Sequence, residues 1–528
     1  MQACTGSQYV VGKKYSPAQM QADAQLLWQT YRQVHPSYNW YTPADTVDAR
    51  FQQLIRSLTD SLPEPEFRLR LAYATAGIRC GHTSILSPKS LSKVLNNRPG
   101  ASFPLQVKVW GDSMIVTDNT GPNRDSVKRG VAITHIDSVP VQTLIRQMEA
   151  YISVDGITQR YADAILSASF PSRFRWMYGL KPMYNIQYVD SAGKSQIAKV
   201  GLQMPRLPDS NRRKAARVPA PRPQPDGIKR HAFGFMRIDT VRQYAYLRIS
   251  SFSGNGFKRF VRRSFRSINQ QQLKQVVVDI RDNGGGKISN SAMLARYLTH
   301  QPFRIADSVS AVGFDFPKPA AVQVHWFYKL FGGVIAPYKA DDRRHMGLME
   351  RKLYEPKRYN HFDGQLYVLM NGRSFSASIL FLQHIADRPQ TVRIGEETGG
   401  GARGNSAVMT PDITLPNTGI RARLPLFRII THATLPDNGR GVMPDIEVLP
   451  PNGCLRTPIR SSATRCCAAN PAVDTVSSSS STPTSQRRFR RSNMTLPVMP
   501  ACMPTPWNWW PIRCGCLAAS RSRTTRRC

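Results

Sequence analysis

The chain has 528 residues, 41% of them hydrophobic, which is enough to bury a large core in two to four domains. Its 72 Lys+Arg against 34 Asp+Glu give a formal net charge of +38, yet it has no apolar run of the roughly 18 residues that a membrane-spanning helix needs. Only Cys4 and Cys80 precede residue 450, so no disulfide framework is expected in the body of the chain.

Such an excess of positive charge would suit a nucleic-acid partner only if it were gathered into one patch. Residues 451–528 alone hold 12 Arg, no Lys and one acid, Asp474, so part of the excess belongs to this tail. The tail also carries seven of the nine cysteines, the run Ser477 to Ser481, and no apolar period of 2 or 3.6. It contains no His and no Cys-x2-Cys, so no zinc pattern is expected. The segment 450–528 reads as disordered or out of frame, and no nucleic-acid partner is expected.

In chain order, Met1-Gln2-Ala3-Cys4 has no room for an apolar signal core, so no signal peptide is expected. Ala3-Cys4 followed by Thr5-Gly6-Ser7 resembles the mature start of a bacterial lipoprotein, which would place a lipid anchor at Cys4. Ser16-Pro17 is a helix start, and Leu26, Leu27, Trp28, Tyr31 and Val34 give that helix one apolar face ending before Pro36. Further helices fit Val47 to Leu58 and Pro65 to Ala76, and the turn Cys80-Gly81-His82-Thr83 closes an N-terminal helical cap, 14–95. From Phe103 the period becomes 2, with strands around Leu105 to Val109, Met114 to Val116 and Val131 to Ile136, then a helix from Val141 to Tyr151. This segment, 100–203, resembles a PDZ-like module, which adds an extended peptide to a sheet edge.

A Pro/Arg-rich linker, 204–232, leads into alternating strands and helices: Tyr244 to Ile249, Phe257 to Gln270, Gln275 to Ile280, Ile288 to Leu298, Gln365 to Met370, Ser376 to Ile385 and Thr391 to Ile394. Alternation of this kind calls for a mainly parallel α/β sheet. In Phe257 to Gln270 the basic residues Lys258, Arg259, Arg262, Arg263 and Arg266 fall between the apolar ones at helical spacing and form the outer face of an amphipathic helix. The stretch 300–360 reads as an irregular, loop-rich lid.

Two strand-ending turns carry the chemistry: Asp279-Ile280-Arg281-Asp282-Asn283-Gly284-Gly285-Gly286, and Asn371-Gly372-Arg373-Ser374-Phe375-Ser376-Ala377-Ser378. Taken singly, the first could be only a turn, Ser376 only a helix N-cap, and His82 only a structural histidine. Together with Gly81-His82-Thr83, Gly395-Glu396-Glu397-Thr398-Gly399-Gly400-Gly401, Leu415-Pro416-Asn417 and Gly441-Val442-Met443-Pro444-Asp445-Ile446, they resemble the S41 family of serine peptidases, the C-terminal processing and tricorn-type enzymes.

The resemblance implies a ClpP/crotonase-like catalytic domain of βαβ units over 233–449. It also implies a polypeptide substrate, no cofactor or metal, and export to the periplasm or the outer face of a bacterial membrane. Processing members use a Ser-Lys pair, but Gly401 stands at the Lys position, and the nearby Arg403 cannot act as a base because a guanidinium stays protonated. The tricorn-like solution remains: Ser376 as nucleophile, His82 as general base and Asp437 as the orienting acid, with Asp445 or Glu447 as substitutes. The oxyanion donors implied are the backbone N–H groups of Gly285 and Ala377. The rival reading is a peptide-binding homologue without activity.

Overall fold

The computed structural model describes residues 9–97, 100–204, 230–323, 334, 336–431 and 438–448. The chain divides into the units Met1–Ser461 and Ser462–Cys528. The second unit lies outside the described residues, as do Cys4, Asp437, most of 204–232 and all of 450–528.

Strands Gly234–Asp239, Tyr244–Ile249, Gln275–Asp279, Gln365–Met370, Thr391–Gly395 and Ile446–Glu447 form one six-stranded sheet in that spatial order. The first pair is antiparallel and every later pair is parallel. Parallel neighbours need crossovers, and helices Phe257–Gln270, Ile288–Ala295 and Ala377–His384 lie on those connections. Val276, Val277 and Val278 are all buried, as a sheet covered on both faces requires. In helix Phe257–Gln270 the residues Phe257, Val261, Phe265 and Ile268 are buried and the five basic side chains are exposed.

The N-terminal helices are Pro17–Val34, Ala44–Arg56 and Glu64–Ala76. The first begins with a capping box, Ser16 accepting from the Gln19 N–H while the Gln19 side chain accepts from the Ser16 N–H. Their apolar faces do not form a separate core: Leu27, Tyr31, Phe51 and Phe67 share one cluster with Ile413, Leu415, Ile420 and Phe427. Strand Ile85–Leu86 pairs antiparallel with Arg421–Arg423, adding an edge to a four-stranded sheet that also holds Val322–Gln323 and Asp412–Thr414.

Buried Asp23 fastens the first helix to the loop after residue 415. Its carboxylate accepts the N–H of Thr418 at 2.9 Å, the Thr418 hydroxyl at 2.7 Å and the Asn417 side-chain amide at 2.9 Å. Asp23→Ala would strand these donors in the interior, and we expect it to destabilise the protein by about 3 kcal/mol. A lowered denaturant midpoint with secondary structure intact would show this, whereas an unchanged midpoint would rule it out.

Residues 102–203 build a smaller sheet in the order Leu105–Trp110, Ser113–Asn119, Ala132–Ile136, Met183–Val189, Ser195–Gly201, with Val139–Pro140 paired to the third strand. Helices Val141–Glu149 and Gln159–Tyr178 contribute to its core through Leu144, Met148, Leu166 and Phe170.

The described residues of the stretch 300–360 do not form the irregular lid that its sequence suggests. Ser308–Ala311, Tyr338–Ala340 and Arg343–His345 join Phe427–Ile430 and Gly404–Ala407 in a five-stranded antiparallel sheet. These strands are only three or four residues long, and Ser308–Ala311 finds its partners in Arg343–His345 and Phe427–Ile430, far away in sequence, so no local period betrays them.

Candidate active site

The two glycine- and serine-rich turns follow neighbouring parallel strands and are latched together. Asp282 N–H donates to the Asn371 side-chain oxygen at 2.9 Å, and the Asn371 amide returns a bond to Asp282 at 3.0 Å. The Ser374 hydroxyl donates to the Ile280 carbonyl at 2.9 Å, and the Ser378 hydroxyl to the Asn283 carbonyl at 2.9 Å. Asp279, fully buried, pairs with Arg281 at 2.7 Å and Arg248 at 2.6 Å, so this ion-paired carboxylate braces the turn from beneath.

Ser376 immediately precedes helix Ala377–His384, the place of an N-cap, yet its side chain makes no capping bond. Its backbone sits at φ +57°, a region that costs a non-glycine residue about 1 kcal/mol or more and that recurs where a nucleophile is lifted out of a strand-to-helix turn. The hydroxyl lies 3.1 Å from His82 Nε2, across 294 residues of sequence. Of the site residues expected from sequence, Ser376, His82, Ala377 and Gly285 are thus brought together.

For the Ser376 hydroxyl to donate to Nε2, the imidazole proton must sit on Nδ1. That atom is buried and has no hydrogen-bond partner among the described residues. Asp445 is engaged by Arg393 at 2.6 Å and Glu447 lies 3.9 Å from Arg160, so neither acts as the orienting acid. Asp437 lies outside the described residues.

The His82 ring is enclosed by Phe375, with centroids 4.6 Å apart, and Phe375 stacks in turn on Tyr161 at 4.6 Å. This enclosure, with a smaller contribution from Arg423, pushes the imidazole from its usual 6.5 down to about 4. Burial also pushes His35 and His384 down to about 3. These three histidines therefore bind more protons in the unfolded chain between those values and about 6.5, so their contribution to stability rises with pH across that window and levels off above it. The raised carboxyl of Asp155 opposes this, its contribution falling as pH rises towards about 7.

The His82 turn is held from two sides. His35 accepts the Ser37 N–H on Nδ1 at 3.1 Å, so its Nε2–H donates to the Thr83 hydroxyl at 2.8 Å. Gly81 N–H donates to Asp155 at 2.6 Å. The turn around Asp155 also reaches the α/β segment, with Thr158 donating to the Gly399 carbonyl at 3.1 Å and Ile157 N–H to the Gly439 carbonyl at 2.8 Å. Burial pushes the Asp155 carboxyl up to about 7. Asp155, Tyr161 and His35 escaped the sequence reading, and no motif or period marks them.

One expected oxyanion donor changes. The N–H of Gly285 donates to the Asn283 side-chain oxygen at 2.9 Å, a local turn that the Asn-x-Gly spacing favours, so it is not free for substrate. Neither the Gly284 N–H nor the Ala377 N–H has an acceptor among the described residues. Gly284 lines the same cavity as His82. Gly285 serves through closeness instead: with φ +103°, a Cβ there would stand 2.8 Å from the Ser376 Cβ. At Gly401 a Cβ would meet the Tyr41 hydroxyl at 2.5 Å, so an aromatic side chain from the N-terminal region fills the space beside the expected Lys position.

Residues 243–448 match the family model described as peptidase family S41. Among solved structures, the chain is similar to mature CPAF complexed with lactacystin, with a TM-score of 0.57 and 14% identity over 82% of this chain and 94% of that one. It is also similar to a point variant of CPAF, with a TM-score of 0.58 and 13% identity over 82% and 93%. The photosystem II D1 C-terminal processing protease aligns at a TM-score of 0.38 and 15% identity over 81% and 93%. At these identities the CPAF likeness is one of fold. No curated protein matches the chain in sequence.

Proposed function

Starting from a chain whose residues 243–448 belong to peptidase family S41, we propose that the protein is a serine peptidase that hydrolyses extended or unfolded polypeptides through an acyl-enzyme on Ser376. The observation that carries this reading is the 3.1 Å contact between the Ser376 hydroxyl and His82 Nε2, made by a serine that is strained and not used as a helix cap. His82 takes the hydroxyl proton as the serine attacks the scissile carbonyl, then returns it to the leaving amine. The N–H groups of Ala377 and Gly284 receive the developing oxyanion, at about 3 kcal/mol of transition-state stabilisation each. Asp437 is the acid assigned to His82 Nδ1, and the small sheet of residues 102–203 is assigned a PDZ-like role in holding an extended peptide.

The rival reading, a peptide-binding homologue without activity, draws its support from the lack of a partner for Nδ1 among the described residues. A fluorophosphonate probe separates the two. Wild-type protein should be labelled at Ser376, and Ser376→Ala should not; an unlabelled wild type would favour the binding reading. Only the neutral imidazole is a base, so the labelling rate should fall as pH drops through the His82 pKa. With Asp437→Asn that inflection should lie at about 4, and in the wild type, where a carboxylate favours the imidazolium, it should lie higher. Identical profiles would remove Asp437 from the site.

A further inference from the structure

A cavity of about 390 Å³ opens beside His82, Gly284 and Phe375 and extends towards Tyr161, Arg173 and Trp176. Among the described residues no Asp or Glu lines it, but three arginines do. Two of these have carboxylate partners: Arg68 meets Glu64 at 2.7 Å and also lies 4.8 Å over the Trp176 ring, and Arg423 meets Asp412 at 3.3 Å. Arg173, on helix Gln159–Tyr178, has none among the described residues. Its Nε donates to the Ser169 hydroxyl at 2.8 Å, and its two Nη groups have no acceptor among the described residues.

Burial lowers the Arg173 pKa to about 10, so the group is still a cation at neutral pH although the surroundings oppose its charge. A partly desolvated cation without a counter-ion is destabilising, and a guanidinium fork matches a carboxylate through two parallel N–H bonds. The same helix carries Tyr161, which stacks on Phe375, the residue before the nucleophile. The cation therefore stands in the cavity that His82 opens onto, on the helix that packs against the nucleophile turn.

Resting on the peptidase reading, we propose that Arg173 is the specificity-determining residue of this cavity and binds a carboxylate of the polypeptide substrate. That carboxylate comes either from an acidic side chain near the scissile bond or from the substrate's free C-terminus. A lysine would supply charge without the bidentate geometry, so it should reproduce the preference only in part.

The test uses full-length protein and fluorogenic peptides in matched pairs, Glu against Gln at each scanned position and free acid against amide at the C-terminus. Wild type should prefer the carboxylate member of one pair on the order of 10- to 100-fold in kcat/KM. Arg173→Gln should bring that ratio to about one, and Arg173→Lys should leave it in between. The pair that responds identifies the source of the carboxylate. No preference in the wild type, or one that survives in Arg173→Gln, overturns the proposal.

If the wild type cleaves no peptide, the same pairs are titrated against Ser376→Ala by fluorescence anisotropy. Carboxylate-dependent binding that Arg173→Gln abolishes then upholds the inference while the catalytic reading falls. Binding indifferent to the carboxylate, or no binding, overturns it.

Discussion

His82→Ala should lower kcat by on the order of 10,000-fold, and Ser376→Ala by a similar factor, with the double variant scarcely worse than either. Such non-additivity is the signature of two groups acting as one device, since a hydroxyl without its base and a base without its hydroxyl are equally idle. Under the proposed mechanism the 3.1 Å separation allows the proton to pass directly between the two groups. Steady-state kinetics on a fluorogenic peptide would check this. Two losses that multiply in the double variant would mean that His82 and Ser376 act separately, and a His82→Ala enzyme with near-normal kcat would remove the base from the mechanism.

The second large effect is expected at Gly285, whose own N–H is taken up by the Asn283 side chain. In Gly285→Ala the new methyl would lie 2.8 Å from the Ser376 Cβ, 2.9 Å from the Phe375 carbonyl oxygen and 3.0 Å from the Ala377 nitrogen. Two of those three atoms are backbone and cannot swing aside, and φ of +103° is strained for any L side chain. The nucleophile turn must therefore shift, moving both the hydroxyl and the Ala377 N–H. A loss of about 100- to 1,000-fold in kcat is expected, the range for removing one oxyanion donor. Near-normal kinetics with fluorophosphonate labelling at the wild-type rate would show that the turn accommodates the methyl.

The parts legible in the sequence were those fixed by local chemistry. Ser16-Pro17 announces a helix start, the apolar spacing from Phe257 to Ile268 announces an amphipathic helix, and glycines beside Asn283 announce a turn at a strand end. Ser376 and His82 were reachable only through the resemblance that their flanking motifs, taken together, bear to the S41 family, since neither turn alone marks a catalytic residue. What stayed hidden depends on long-range closure. Asp155 stands in an unremarkable turn, and its role exists only because Gly81 arrives from 74 residues away. Tyr41 matters only because Gly401 lies against it. The engagement of Gly285 N–H by Asn283 needed coordinates, since the same spacing leaves several N–H directions open.

The distance of 294 residues between His82 and Ser376 also orders events in time. Synthesis runs from the N-terminus, so the base is made early, and the nucleophile turn follows long after it. The strand that closes the main sheet, Ile446–Glu447, comes later still. A nascent chain holds one half of the proposed proton relay without the other while those 294 residues are added. Under the proposed activity, cutting power therefore arises only after the nucleophile turn and the Ile446–Glu447 strand have been made, which would spare neighbouring nascent chains from a half-made peptidase.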